Sequence, residues 1–292
     1  MAALVPAVPD VSGLVAVAPA AWATPFTVTT PGGVVTVGLD GTTGALTKVT
    51  LAGVDWASSA APLGQYIYRT FTDADYDAQH TCCYGEANRQ KVANPQETAT
   101  VPTMTGVWVD DAAAPRTVVV SMSMPPLQHT YYGAPSALWL TLTVLDDASV
   151  ALDLQAFNKT ATRLGEAHFF RFAPLPVAGG DYVWLMDILG SWVDPLDTVA
   201  NGGLHQHGVR DGVAYVSASN PAKRLSIDTL DAPVVDPATA ANPATMFPQP
   251  LTPLEGPVLG FDVQLLQNAF CTNTPLFSWD TAYRWRFRIS AA

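Results

Sequence analysis

The chain has 292 residues, a net charge of −11, and 13% charged against 49% hydrophobic residues. That composition excludes intrinsic disorder, and the length accommodates one large all-β unit or two ordinary domains. The acidic balance repels polyanions, so nucleic acid and anionic membrane surfaces are poor partners, whereas a neutral ligand meets no such barrier. Only four Glu and four Lys, the usual fillers of helix surfaces, stand against 21 Gly and 24 Pro, which argues for an all-β fold.

Residues 1–24, "MAALVPAVPDVSGLVAVAPAAWAT", read as an Ala/Pro-rich linker or tether, because the prolines forbid regular helix and neither period is present. The segment lacks a basic leading region and is interrupted by Pro6, Pro9 and Asp10, so it makes a poor secretory signal in spite of Ala21-Trp22-Ala23. The compartment stays open, extracellular or assembly-associated. No run reaches membrane-spanning length, and no membrane insertion is expected.

The stretch 26–56 alternates apolar and polar residues between turn signals at Pro31-Gly32-Gly33 and Asp40-Gly41, the pattern of an antiparallel meander. Residues 72–100 lose that alternation and read as a long excursion or a short helix crossing the sheet end. From Thr117 onward "TVVVSMSMP", "LWLTLTVLDD", "SVALDLQAFN" and "HFFRFAPL" each have strand length and β-branched or aromatic content. "YVWLMDILGSWVDP", "GVAYVSAS" and "LSIDTLDAP" continue the series, a Pro-rich irregular stretch follows at 236–257, and "VLGFDVQLLQN" and "YRWRFRIS" close it. More than a dozen strands fit one large β-sandwich over residues 25–292 better than a small barrel.

Cys82 and Cys83 are adjacent and Cys271 is remote, so no disulfide framework or Cys-x-x-Cys metal pattern can be drawn and one long-range disulfide stays open. The sequon Asn158-Lys159-Thr160 matters only on a secretory route. In "NGGLHQHGV", a strand would send His205 and His207 to one face, roughly 6.5–7 Å apart at Cα. A metal would need a third and fourth ligand, for which His168 and Glu166 are the remote candidates. Structural hydrogen bonding is the commonest fate of such a pair, with a polar cleft edge next and a metal cage last; no metal or cofactor is expected.

Glu166 precedes a strongly apolar strand with Arg163 three residues earlier, and carboxylates flanking a core strand are usually paired, so an Arg163–Glu166 pair is the plain expectation. The sharper alternative makes Glu166 an acid/base group with His205 or His207 as its proton-transfer partner. Among aromatics able to stack on a sugar face, Trp184, Trp192, Trp279, Tyr131 and Tyr132, most belong to a core; Tyr131-Tyr132 and Trp279 lie at turn-like places and are the better candidates. In "YRWRFRIS" a strand puts Arg284, Arg286 and Arg288 on one face. In so acidic a chain these arginines are expected to pair with aspartates rather than to bind nucleic acid. No phosphate loop or nucleophile elbow is present.

Five segments, "NKTATRLGEAHFFRFAPL", "WVDPLDTVANGGLHQHGV", "LSIDTLDAPVVDP", "FDVQLLQNAFCTNTPLFSW" and "YRWRFRIS", together resemble the C-terminal β-domain of proteins similar to glycoside hydrolase family 38 α-mannosidases, in a group that carries a domain of unknown function. The resemblance runs in one order from about Asp10 to the end. It implies a galactose-mutarotase-like antiparallel β-supersandwich, a His-rich turn near His205 and His207, and asparagines before the last strands at Asn268 and Asn273, whose amides bond sugar hydroxyls or cap turns. In that family the nucleophilic Asp and the zinc belong to a preceding barrel, which this sequence does not resemble. The implied function is a non-catalytic, carbohydrate-associated module that binds glycan weakly or supports a catalytic barrel. The alternatives are part of an active α-mannosidase-like glycosidase, a mutarotase-like epimerase using Glu166 and histidine, or a structural protein that reuses the sandwich.

Overall fold

The computed structural model describes residues 5–75, 95–96, 98–162, 164–177, 180–197, 199, 205–240, 253–268 and 280–292. The strands begin with β1 (Val15–Ala16), β2 (Phe26–Thr30), β3 (Gly33–Leu39), β4 (Leu46–Leu51), β5 (Val54–Asp55) and β6 (Leu63–Thr70). Next come β7 (Thr98–Thr100), β8 (Thr103–Val109), β9 (Thr117–Ser123), β10 (Ala137–Val144) and β11 (Val150–Phe157). These are followed by β12 (Glu166–Phe172), β13 (Tyr182–Ile188), β14 (Ser191–Val193), β15 (His207–Gly208) and β16 (Gly212–Ser217). The last four are β17 (Arg224–Thr229), β18 (Val234–Ala238), β19 (Gly260–Gln267) and β20 (Ala282–Ala291).

They form two antiparallel sheets packed as a sandwich. The first runs β1-β8-β9-β10-β11-β20-β17-β16-β13-β14; the second runs β15-β18-β19-β12-β6-β4-β3-β2, with β5 added on β4 and β7 on β6. The all-β, large antiparallel sandwich expected from composition and alternation is the fold observed. In β10 and β11 every second residue is buried, and the register sets Leu138 opposite Ala156, Leu140 opposite Leu154 and Leu142 opposite Leu152. Those inward rows are what period-two patterning demands of a sheet with one wet face. Phe170 and Phe172 of the second sheet meet Phe287 of the first with ring centroids 4.9 and 5.6 Å apart, joining the layers through one continuous apolar core.

The expected pairing of the terminal arginines is met on the outer face of β20. Arg284 bonds Asp153, Arg286 bonds Asp231 with Nε 2.9 Å from Oδ2, and Arg288 bonds Asp147. Each guanidinium of the stripe is thereby neutralised by an aspartate. Of the stretch expected as a tether, Val15–Ala16 pairs with β8 as an edge strand, and the Ala7 amide donates to Gln155 Oε1 of β11 at 2.8 Å. The segment is therefore held at the first sheet at both points. Most of the 72–100 excursion, Cys82, Cys83 and Cys271 lie outside the described residues.

Two bulges seat β12 between its neighbours. Opposite β12 the register passes from Arg171↔Gln65 to Phe172↔Leu63, leaving Gly64 as the extra residue with φ +59°. A left-handed residue at a bulge favours glycine. A Cβ there would stand 3.0 Å from Leu46 Cδ1 and 3.1 Å from Phe170 Cζ. Gly64→Ala is expected to lower the unfolding free energy by about 2–4 kcal/mol, from backbone strain and overpacking together, read as a fall in the denaturant midpoint.

Candidate functional site

Along the inner face of β12 the side chains change from Phe172 and Phe170 to His168 and Glu166. On β6 the matching positions are Tyr66, Tyr68 and Thr70, with Tyr68 opposite His168 and Thr70 opposite Glu166. The result is a polar cluster inside one end of the sandwich. Glu166 and His168 are each 1% exposed and Lys159 3%.

Lys159 reaches the cluster because the chain turns sharply after β11. Asn158 takes a left-handed φ of +58°, which asparagine tolerates better than most residues. The Lys159 ammonium then lies 2.5 Å from Glu166 Oε1 and donates to the carbonyls of Thr160 at 2.9 Å and Gly133 at 3.2 Å. Three acceptors match its three N–H donors. Gly133 closes the π-helical turn Gln128–Tyr132 with φ +91°, and a Cβ on it would stand 2.9 Å from the Thr160 carbonyl. Only glycine permits that approach.

The other carboxylate oxygen, Glu166 Oε2, accepts from the Tyr68 hydroxyl at 2.7 Å and lies 3.4 Å from His168 Nε2. A carboxylate only accepts, so Nε2 carries the imidazole proton and Nδ1 accepts from the Tyr66 hydroxyl at 2.6 Å. Burial pushes the His168 pKa down, more than the neighbouring Glu166 raises it, so the ring is neutral. Burial and the Glu166 charge push the Tyr66 hydroxyl well up, which keeps it a donor. Asn268, one residue past β19, accepts from the Glu166 amide through Oδ1 at 2.6 Å and donates to the Thr162 carbonyl at 3.3 Å.

The partner of Glu166 is thus Lys159, seven positions upstream; Arg163 lies outside the described residues. Among the described residues Glu166 is a paired carboxylate beside a core strand, with Lys159 as its cation. Tyr132 is buried, with its carbonyl accepting from Tyr68 and its hydroxyl accepting from the Gln96 amide. Tyr131 is 39% exposed, its ring 5.1 Å edge-on from that of Tyr132. Trp184 is core, and Trp192 on β14 lies under Arg224 at 6.0 Å. Asn273 and Trp279 lie outside the described residues.

His207 opens the two-residue strand β15, opposite Val235, while His205 is buried in a bend before it. Strand alternation therefore does not extend to His205. Between them Gln206 donates to Gln267 Oε1 at 3.3 Å. This ties the histidine segment to the end of β19 next to Asn268. Tyr131, Tyr132, Asn268, Glu166, His205 and His207 thus gather towards one end of the sandwich. Among the described residues no group of three or more His, Cys, Asp or Glu side chains is arranged to hold a metal ion.

A second polar centre was not foreseen from the sequence. Val235 and Val263 face the core, so Asp236 and Asp262, directly opposite one another on β18 and β19, face outward. Asp262 is gripped bidentately by Arg171 of β12 at 2.7 Å through each contact. Asp236 accepts from the Gln264 amide, 2.6 Å from Oδ1, and has the Gln206 amide beside it, with no cation pairing it among the described residues. Burial, and then the Asp262 charge, raise its pKa well above the ordinary value, against the lowering effect of the Gln264 and Gln206 amides. A cavity of about 550 Å³ lined by Val17, Trp22, Phe26, Val107 and Val109 lies under the N-terminal segment and shares no residue with either centre.

Fold and site define a class: a two-sheet antiparallel β-sandwich with a closed ionic cluster at one end. No protein-family model matches the chain, and no curated protein matches it.

Breaking the buried pair from one side strands a charge. Lys159→Met is expected to cost about 3–5 kcal/mol of stability, and adding Glu166→Gln to restore a large part of that loss. A double-mutant cycle on urea unfolding checks the coupling.

Proposed function

We propose that the chain is a non-catalytic, carbohydrate-associated β-sandwich module, similar to the accessory β-domain of glycoside hydrolase family 38-like proteins. It binds glycan weakly or supports a catalytic chain. The observation that carries this reading is the state of Glu166, the group best suited by sequence to acid/base work. Its two oxygens are taken by Lys159 and Tyr68, at 1% exposure. A general acid or base must come within hydrogen-bond reach of the proton it moves, and this carboxylate meets only the interior. His168 beside it is equally enclosed.

For glycan contact the fitting groups are at the rim of the same end. Tyr131 presents a half-exposed ring of the kind that stacks on the apolar face of a pyranose. Gln206 and His207 bring a half-buried amide and imidazole along the β15 edge, with His205 buried behind them, and polar groups of this kind fix sugar hydroxyls. The mutarotase-like resemblance and the acidic, nucleic-acid-repelling composition agree with a neutral sugar as partner.

The isolated chain is expected to give no turnover of an aryl mannoside and weak, saturable signals on a glycan array. Tyr131→Ala should weaken those signals roughly two- to tenfold, the value of one aromatic stacking contact, and His207→Ala should weaken them as well, while the buried His205→Ala acts only through the position of the β15 edge. Turnover overturns the non-catalytic reading. Absence of any glycan signal transfers the chain to the structural class.

A further inference from the structure

Asp236 is a buried ionisable group for which glycan binding has no use. It is 2% exposed and sits on β18, the strand next to the edge of the second sheet; β15, at that edge, pairs with β18. Across the ladder it faces Asp262 directly, and like charges in that position repel. The cation that would relieve the repulsion is Arg171, but its Nε and one terminal nitrogen are both spent on Asp262 from the far side. On the β15 side stands Gln206, whose amide nitrogen points to Gln267. His207 is opposite Val235, a core residue, and so on the other face of the strand from Asp236. Asp236 Oδ1 accepts from Gln264, and Oδ2 meets no hydrogen-bonding partner among the described residues.

Among the described residues a carboxylate placed there has only neutral amides, Gln264 and Gln206, to oppose its desolvation, no counter-charge of its own and a like charge opposite. A neutral carboxyl suits the position far better, because the cost of desolvation falls on the charged form. We propose that Asp236 is an acid-locked pin: while it keeps its proton it holds β18, and β15 through β18, against β19, and when the proton leaves the β15–β18 edge opens.

The sign follows from linkage. The closed state binds a proton that the opened, hydrated state releases, so opening is hardest below the ordinary carboxylate pKa. It then becomes easier by about tenfold per pH unit up to the raised pKa of the closed state, and levels off above it. Closed-edge stability is therefore fully present in acid and lost as pH rises through that window. A two-residue β15 and a five-residue β18 are short elements at the border of the sheet, and of the two strands only Val235 belongs to the continuous core, so their opening is a partial unfolding confined to one edge. The carboxylates already held by cations or backbone amides behave oppositely. Asp231, drawn down by Arg286, and Asp40, drawn down by the Thr42 and Thr43 amides, lend stability that disappears in acid.

Hydrogen exchange of the whole chain, followed against pH and corrected for intrinsic amide rates, tests the pin. The amides of His207, Gly208, Val235 and Asp236 should show the tenfold-per-unit rise and plateau, while those of β10 and β11 stay flat over the same range. In Asp236→Asn the rise should vanish. A flat profile in the parent chain, an unchanged slope in Asp236→Asn, or the same slope in β10 and β11 overturns the proposal. Should Asp236→Asn fail to fold, Asp262→Asn decides: removing the like charge and freeing Arg171 should bring the plateau to lower pH, and an unmoved plateau overturns the pin.

Discussion

Strand β12 is buried on both faces except at Arg171, and the arrangement of the ionisable groups around it follows from that constraint. Glu166 and His168 project between the sheets; Arg171 projects outward yet meets a fully buried Asp262. In such surroundings an unpaired charge costs several kcal/mol, so each charged group needs a partner of opposite sign or must lose its charge. Both solutions are present. Lys159–Glu166 and Arg171–Asp262 are balanced pairs, while His168 stays neutral because burial outweighs the attraction of the adjacent carboxylate.

Balance of this kind leaves a cluster that resembles acid/base machinery in composition with its charges paired to one another. Catalytic carboxyls and imidazoles work at a surface where one valence is left for substrate. Here the lysine is saturated by a carboxylate and two carbonyls, the glutamate by a lysine and a tyrosine, and the histidine by a tyrosine and the glutamate. Such a closed ring joins β6, β12, the end of β19 and the Gln128–Tyr132 turn. Its contribution is to fix where those four elements meet, and with them the rim that carries Tyr131.

The fold was legible where one face of a strand is wet. β10 alternates cleanly, and β20 shows three arginines on one face against Trp285, Phe287 and Ile289 on the other. What single residues in the sequence do not show is which of them meet, since that depends on antiparallel register between segments about a hundred positions apart, as in Glu166 with Asn268. Lys159 as the partner of Glu166 could not be read from spacing, since the left-handed turn at Asn158 brings it inward. The strand implied for His205-x-His207 starts only at His207, because pairing with β18 alone, over two residues, stops short of His205. The bulges at Gly64 and between His168 and Phe169 leave no periodic signal at all.

Asp236 lay hidden for a related reason. In "VVDPA" an aspartate before proline reads as turn chemistry, yet the segment is a strand whose Pro237 faces the core side opposite Phe261. The ladder then has no freedom to move Asp236 away from Asp262, because slipping one residue would turn Val235 out of the core and the carboxyl in. Hydrophobic registry thus holds two acids face to face, and only one of them can have Arg171 in the bidentate geometry seen at Asp262. With one guanidinium, on the far side of Asp262, for two carboxyls, the unmatched acid must resolve the conflict through its proton. That is the physical difference between the ion pairs of β12, in which each charge meets its opposite, and the β18 edge, whose closure depends on that proton.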